Sequence, residues 1–235
     1  MTQDSAAKFD ASRAGEYAEQ ARIGLAGYDA CHELSACMLA AALGEGTPAR
    51  ILVVGAGGTA GEIICAAQLE PQWTFVAVDP SAPMLDLARA SLTAAGVSDR
   101  VECHRGAVAD LDTAPAFDAA IMIGVLHHLP GEADKQDILE QISLRLRPGA
   151  PFVVAGNYRP YASQPVLMAA WATRWRMNGA GPAEVEAKMN KILQGAEPPP
   201  SEDAVFALLA HAGFEDPLGF FSSLFWGAWL ARRAS

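Results

Sequence analysis

The chain is short of positive charge. Its 17 basic residues are 13 Arg and only four Lys, set against 27 acidic residues, for a formal net charge of −10. Phosphate backbones repel such a surface. No basic run is longer than Arg232-Arg233, so general nucleic-acid binding is disfavoured. No stretch of about 18 apolar residues occurs, so no membrane-spanning helix is expected. Met1 to Asp10 is polar and lacks an apolar segment; no secretory signal is read and a cytoplasmic location is expected. The four cysteines (Cys31, Cys37, Cys65, Cys103) form no C-x-x-C pair, which argues against a zinc knuckle or a thioredoxin motif and for free thiols in a reducing compartment. No His or Cys pair stands at ligand spacing beside a carboxylate. His127 and His128 are adjacent and can seldom reach one ion, so no metal is expected. No period of 20–50 residues repeats, which excludes a solenoid.

What is present is globular material. Over 235 residues, 51% are apolar and 19% charged, the size of one large α/β domain with a cap. Residues 5–44 are Ala-rich with apolar residues at helical spacing, which predicts two helices broken near Gly24 and Gly27. Ile51-Leu52-Val53-Val54 is all apolar and stops at Gly55-Ala56-Gly57-Gly58, a buried strand feeding a glycine turn. Helices are expected at 59–69, 82–95 and 135–146, and strands at 73–78, 101–104, 117–125 and 152–155. Alternation of this kind predicts a doubly wound, mostly parallel sheet. After residue 157 the texture turns aromatic and helical, and Pro198-Pro199-Pro200 punctuates it. Ser201-Glu202-Asp203 caps a helix at 204–212, followed by a β-rich end. The expected organisation is an N-terminal helical lid (1–46), a cofactor-binding core (47–156), a helical substrate cap (157–200) and a last helix with the final strands (201–235).

The glycine turn lets the backbone bend tightly and approach a ligand at a helix N-terminus. Asp79 lies 24 residues beyond Gly55, at the end of the second strand. A carboxylate there can accept hydrogen bonds from both ribose hydroxyls. By itself the turn suits a nicotinamide dinucleotide as well as S-adenosylmethionine.

Several segments together resemble the class I S-adenosylmethionine-dependent methyltransferases of small-molecule type, over roughly residues 9–233. Residues 51–62 resemble the family's glycine loop, and Val76-Ala77-Val78-Asp79-Pro80 with Met84 its ribose segment. Residues 105–111 resemble the adenine segment, and Phe117-Asp118 with Gly124-Val125-Leu126-His127-His128 the fourth-strand motif. Leu146-Arg147-Pro148-Gly149 and Ala212-Gly213-Phe214 resemble the approaches to the fifth and the last strands. The resemblance implies a Rossmann-like sheet of seven strands, the seventh antiparallel, with S-adenosylmethionine as cofactor and S-adenosylhomocysteine as product. It implies cofactor contacts from Gly55, Ala56, Gly57, Asp79, Pro80, Met84, Ala107, Val108, Gly124 and Val125. The lid segment containing Phe9-Asp10, Tyr17 and Arg22 also resembles that of carboxy-S-adenosylmethionine synthase, which implies that Tyr17 and Arg22 reach the cofactor's carboxylate. The chain departs from the family pattern at Val53, where an acidic residue is usual, at Thr59, which replaces the third glycine, and at Ala107, which replaces an Asp.

His127 and His128 leave the fourth strand at the edge where α/β sheets bind ligands. The expectation is His128 facing the site as the catalytic residue, with His127 nearer the adenosine and among the substrate contacts. Tyr158, Arg159, Trp171, Trp175 and Trp226 are the other expected substrate-binding residues, since aromatics there make a flat apolar pocket. The function expected is methyl transfer to a small aromatic or heterocyclic metabolite, by a monomer or homodimer with no nucleic-acid or membrane partner. The alternatives are a cofactor-modifying enzyme of the carboxy-S-adenosylmethionine synthase kind, or a nicotinamide-dependent oxidoreductase. Against the latter, no Lys has a Tyr four residues before it.

Overall fold

The computed structural model describes residues 17–112, 114 and 116–235. Two helices, α1 (Tyr17–Gly24) and α2 (Tyr28–Leu43), precede the sheet. Then β1 (Arg50–Val54), α3 (Gly61–Leu69), β2 (Thr74–Asp79), α4 (Ala82–Ala94) and β3 (Val101–Arg105) follow in order. The second half runs β4 (Ala119–Ile123), α5 (Gly131–Arg145), β5 (Pro151–Asn157), α6 (Pro165–Met177), α7 (Pro182–Gly195), α8 (Glu202–His211), β6 (Phe214–Ser223) and β7 (Trp226–Arg233). The seven strands stand in the order β3-β2-β1-β4-β5-β7-β6. The first five pair in parallel, and β7 runs antiparallel to both β5 and β6. This is the expected doubly wound, seven-stranded α/β sheet.

The strands read as continuous apolar runs because both faces are covered. Successive side chains alternate, so Leu52 and Val54 join one core layer with α5 and α8, while Ile51 and Val53 join the other with α2, α3 and α4. Local chemistry fixes the helix starts. The Ser81 hydroxyl accepts from Met84 N at the start of α4, and the Ser201 hydroxyl accepts from Ala204 N at 3.1 Å at the start of α8.

Two edges differ from the sequence reading. The fourth strand is shorter than 117–125, because Phe117 makes only an isolated bridge to Leu146 and Gly124 turns the chain at φ 78°. The last β segment is one hairpin that begins at Phe214. Register shifts between Glu215 and Leu218 and between Gly219 and Phe221 break its two-residue period, which hid β6 as a single strand.

The chain order itself places the site. From β1 it moves outward to β2 and β3, then returns to β4 on the other side of β1. The loops leaving β1 and β4 therefore diverge, and the crevice between them is where such sheets hold ligands.

Candidate active site

The loop after β1 is built by close contacts. A Cβ on Gly57 would lie 2.5 Å from Met84 Cβ and 2.6 Å from Asp79 Oδ2, so only glycine fits. Gly57 N donates to Asp79 Oδ2 at 3.0 Å, and Ser81 N donates to Asp79 Oδ1 at 2.8 Å. A carboxylate offers about four lone-pair sites. Two are used, and two remain to accept from a diol. Burial pushes the Asp79 carboxyl up from its ordinary value, while the two backbone N–H bonds pull the other way.

The lid closes over this loop. The Tyr17 ring covers Gly58, whose φ of 99° and contact with that ring both demand glycine. Burial, followed by the nearby charges of Glu62 and Asp79, raises the Tyr17 phenol well above its ordinary value, so it stays protonated. Tyr28 OH and Thr59 Oγ1 share a hydrogen bond that ties α2 to the loop. Glu62, in the first turn of α3, is buried and lines the cavity. His32 Nδ1 donates to the Tyr28 carbonyl at 2.7 Å, and its Nε2 lies 3.4 Å from Glu62 Oε2. Burial pulls the His32 imidazole down, but Glu62 and the Tyr28 carbonyl outweigh it and the net direction is up.

On the β2–β3 side, Met84 and Val108 are buried, while Pro80 and Ala107 are exposed. Asp110 Oδ2 accepts from Ala107 N at 2.7 Å and closes the short 3₁₀ turn Val108–Asp110. Arg145, fully buried on α5, holds that turn in place. Its guanidinium donates to the carbonyls of Ala109, Leu111 and Gln141 and to Gln141 Oε1. The sequence reading missed this clamp.

Across the crevice, Gly124 packs under the Trp226 ring, and Val125 lies against Gly55. His127 and His128 sit in a 3₁₀ turn with ring centroids 4.3 Å apart. Both line one cavity of about 440 Å³. His127 Nδ1 accepts from Asn157 N at 3.3 Å, and its ring meets Trp226 edge-on at 5.2 Å. His128 Nδ1 lies 3.4 Å from the Gly195 carbonyl. Trp171 and Trp175, four residues apart on one face of α6, form the far wall with Tyr161. Lys188 Nζ lies 5.2 Å from the Trp175 ring centroid. Arg174 Nε and Nη2 donate to the carbonyls of Ile23 and Arg22, so α6 is fastened to the end of α1 above the cavity.

The cavity thus gathers Tyr17, Gly55, Gly57, Gly124 and both histidines with Trp171, Trp175 and Trp226. Ala56 is buried in the loop, and Asp79 stands directly behind Gly57. Of the other expected residues, Ala56, Asp79, Pro80, Met84, Ala107, Val108 and Val125 surround the loop without lining the cavity, and Arg22, Tyr158 and Arg159 stand apart from it. Arg22 points to solvent, where Asp29 holds it at 2.8 Å. Tyr158 follows Asn157 at the end of β5 and so faces the other way, its ring edge-on to Trp229 at 5.1 Å. Arg159 stacks on Tyr158, and both line a separate groove with Ser201 and Glu202. His127 lies against the end of β5 and the Trp226 ring. Phe9 and Asp10 fall outside the described residues. Asn157, Glu62 and the α7 lysines were missed, because each enters the cavity through contacts between distant segments.

Residues 52–152 match the family model described as a methyltransferase domain. A demethylmenaquinone methyltransferase from Lactiplantibacillus plantarum is 34% identical over 110 residues, 46% of this chain and 44% of the relative. The chain thus spans less than half the length of that curated relative. Among solved structures, an O-methyltransferase family 2 protein from Planctomyces limnophilus, in complex with apigenin, superposes with a TM-score of 0.61. It is 17% identical and covers 88% of this chain and 61% of its own. The N,N-8-amino-8-demethyl-D-riboflavin dimethyltransferase from Streptomyces davawensis superposes with a TM-score of 0.58 at 19% identity, covering 87% and 56%. The matched stretch, residues 52–152, holds β1 to β5 of the seven-stranded sheet, and the solved structures share that fold.

Proposed function

We propose that the chain is an S-adenosylmethionine-dependent methyltransferase acting on a planar aromatic or heterocyclic small molecule. One observation carries this reading: a single cavity of about 440 Å³ runs from the glycine loop to a wall of three tryptophans.

The residues present fit the cofactor. Asp79 keeps two lone-pair sites for the ribose diol, and the close-packed glycine loop leaves backbone beside it. The buried Glu62 is a carboxylate for the methionine ammonium, a function that Val53 cannot supply. Bound S-adenosylmethionine supplies an electrophilic methyl carbon on a sulfonium, which leaves S-adenosylhomocysteine after displacement.

The chain's own work is alignment, exclusion of water and handling of a proton. The tryptophan walls hold a flat ring against the β4–β5 edge. The two histidines divide their roles by tautomer. A backbone N–H donates to His127 Nδ1, so neutral His127 carries its proton on Nε2 and acts as a donor. His128 Nδ1 faces a carbonyl, which only accepts, so neutral His128 carries its proton there and presents Nε2 as the basic nitrogen. His128 therefore takes the proton released by the acceptor. A solved structure bound to apigenin, a riboflavin-derivative dimethyltransferase and a demethylmenaquinone methyltransferase, all similar to this chain, support a planar acceptor.

Calorimetry with S-adenosylmethionine, S-adenosylhomocysteine and NADH tests the reading. Micromolar binding of the two sulfur nucleosides, lost in Asp79→Ala, is expected. Binding of NADH alone overturns it and revives the oxidoreductase alternative.

A further inference from the structure

We propose that Asn157, held by Tyr161 at the end of β5, receives the proton-bearing group of the methyl acceptor. The acceptor is then a planar ring carrying O–H or N–H, methylated on that heteroatom, rather than a carbon or thioether nucleophile. This inference rests on the methyltransferase reading above and gives the acceptor its chemical class.

The geometry is specific. Asn157 N donates to His127 Nδ1 at 3.3 Å, and Asn157 pairs in register with Trp226. Its side chain therefore leaves the sheet between the histidine turn and the tryptophan wall. Asn157 Nδ2 donates to Tyr161 OH at 2.8 Å, which fixes the amide. The residue is 4% exposed, and its Oδ1 is shielded with no hydrogen-bond partner. A buried acceptor left in that state pays its desolvation with nothing in return. Such an atom in a folded chain calls for a reason, and a ligand's donor is one that a cavity-lining position can provide. Amide oxygen only accepts, so the arriving group must donate.

The same wall carries the complementary signal. The indole N–H groups of Trp171, Trp175 and Trp226 are also shielded and unpartnered, and an indole N–H only donates. Four of the seven such atoms among the described residues belong to this one cavity. A ring bearing an O–H or N–H together with carbonyl or ether oxygens answers both kinds of group. Burial pushes the Tyr161 phenol up to about 12 against the opposing Asn157 bond, so it stays protonated and keeps a donor of its own. In the reaction, the heteroatom's lone pair forms the bond to the methyl carbon. The carbon–sulfur bond breaks with its pair left on sulfur, and the proton passes to His128. Asn157 is neutral and only orients the O–H or N–H.

The test is calorimetric titration of the full chain with two matched pairs, 2-naphthol against 2-methoxynaphthalene and 6-hydroxyquinoline against 6-methoxyquinoline. It is run with and without saturating S-adenosylhomocysteine. At least one hydroxy member is expected to bind about tenfold tighter than its methoxy partner. That gap should fall below about threefold in Asn157→Leu and persist in Asn157→Asp, which keeps an acceptor oxygen. Circular dichroism confirms folding, and if Asn157→Leu does not fold, Tyr161→Phe, which frees the amide to turn, is expected to narrow the gap instead. Equal binding within both pairs, including no binding of any member, overturns the proposal, as does an unchanged gap in the variant that folds. Failure of S-adenosylhomocysteine itself to bind refutes the methyltransferase reading separately, and the ring pairs measured without it still decide the subsite.

Discussion

Replacing Gly57 by Ala is the sharpest probe of the nucleoside end of the cavity. The added methyl would lie 2.5 Å from Met84 Cβ and 2.6 Å from Asp79 Oδ2, closer than real Cβ contacts come. Neither neighbour is the loose end of a long side chain. Met84 is anchored in the first turn of α4 by the Ser81 cap, and both Asp79 oxygens are tied to backbone N–H groups. The carboxylate must rotate away and give up the Gly57 bond. A hydrogen bond to a charged group contributes about 1.5–3 kcal/mol, so a loss of about 2 kcal/mol in stability is expected. That corresponds to a fall of roughly 4–8 °C in Tm for a chain of this size. The displaced carboxylate also loses both ribose hydroxyls. At about 1.5 kcal/mol each, the Kd for S-adenosylhomocysteine should rise roughly 150-fold. Gly181→Ala is the control, because nothing lies within 4 Å of its added methyl and its φ is −74°. Calorimetry and thermal melts of the two variants decide the matter. If Gly57→Ala binds within threefold of the wild type and melts unchanged, the close-packed loop is not what holds the nucleoside.

Other expectations follow from the same geometry. His128→Ala should lose more than about tenfold in turnover with cofactor binding intact; an unchanged rate removes His128 from the mechanism. Because burial raises the Asp79 carboxyl, binding of S-adenosylhomocysteine should begin to fail, as pH drops, above the ordinary carboxylate range, and calorimetry from pH 7 to pH 5 reads this. The His32 imidazole is raised in the fold, so its pairing with Glu62 is fully present below the ordinary imidazole range and lost as pH rises through the raised value. Tm should therefore decline more between pH 6 and pH 8.5 in the wild type than in His32→Gln. Arg145→Met strands three carbonyls and an amide oxygen in the interior and should cost about 3 kcal/mol, seen as a Tm drop of roughly 6–12 °C.

The sequence alone determined the sheet, the glycine turn and the carboxylate at the end of the second strand. Each is written in a short window. A strand buried on both faces must be apolar throughout, as in residues 51–54. A turn that passes a carboxylate at van der Waals distance must carry glycine, as at Gly57. The strand-end position of Asp79 follows from the alternation of strand and helix. The pairing of His127 and His128 at the end of β4 was legible for the same reason, and so was the aromatic character of the cap.

Tertiary structure decided the rest, because direction and partnership depend on residues far apart in the chain. Arg22 had the right chemistry for a carboxylate, but Asp29 engages it at the surface. Tyr158 and Asn157 are neighbours, and the pleat alone sends one away from the cavity and the other into it. The two histidines meet different partners, the Asn157 N–H and the Gly195 carbonyl, which lie 30 and 67 residues away in the chain. Glu62 reaches the cavity wall only because the first turn of α3 is buried under α2, where His32 meets it. A one-dimensional pattern records which side chains are apolar and where the backbone must bend. It does not record which polar groups are left facing one another when distant segments close around a common space.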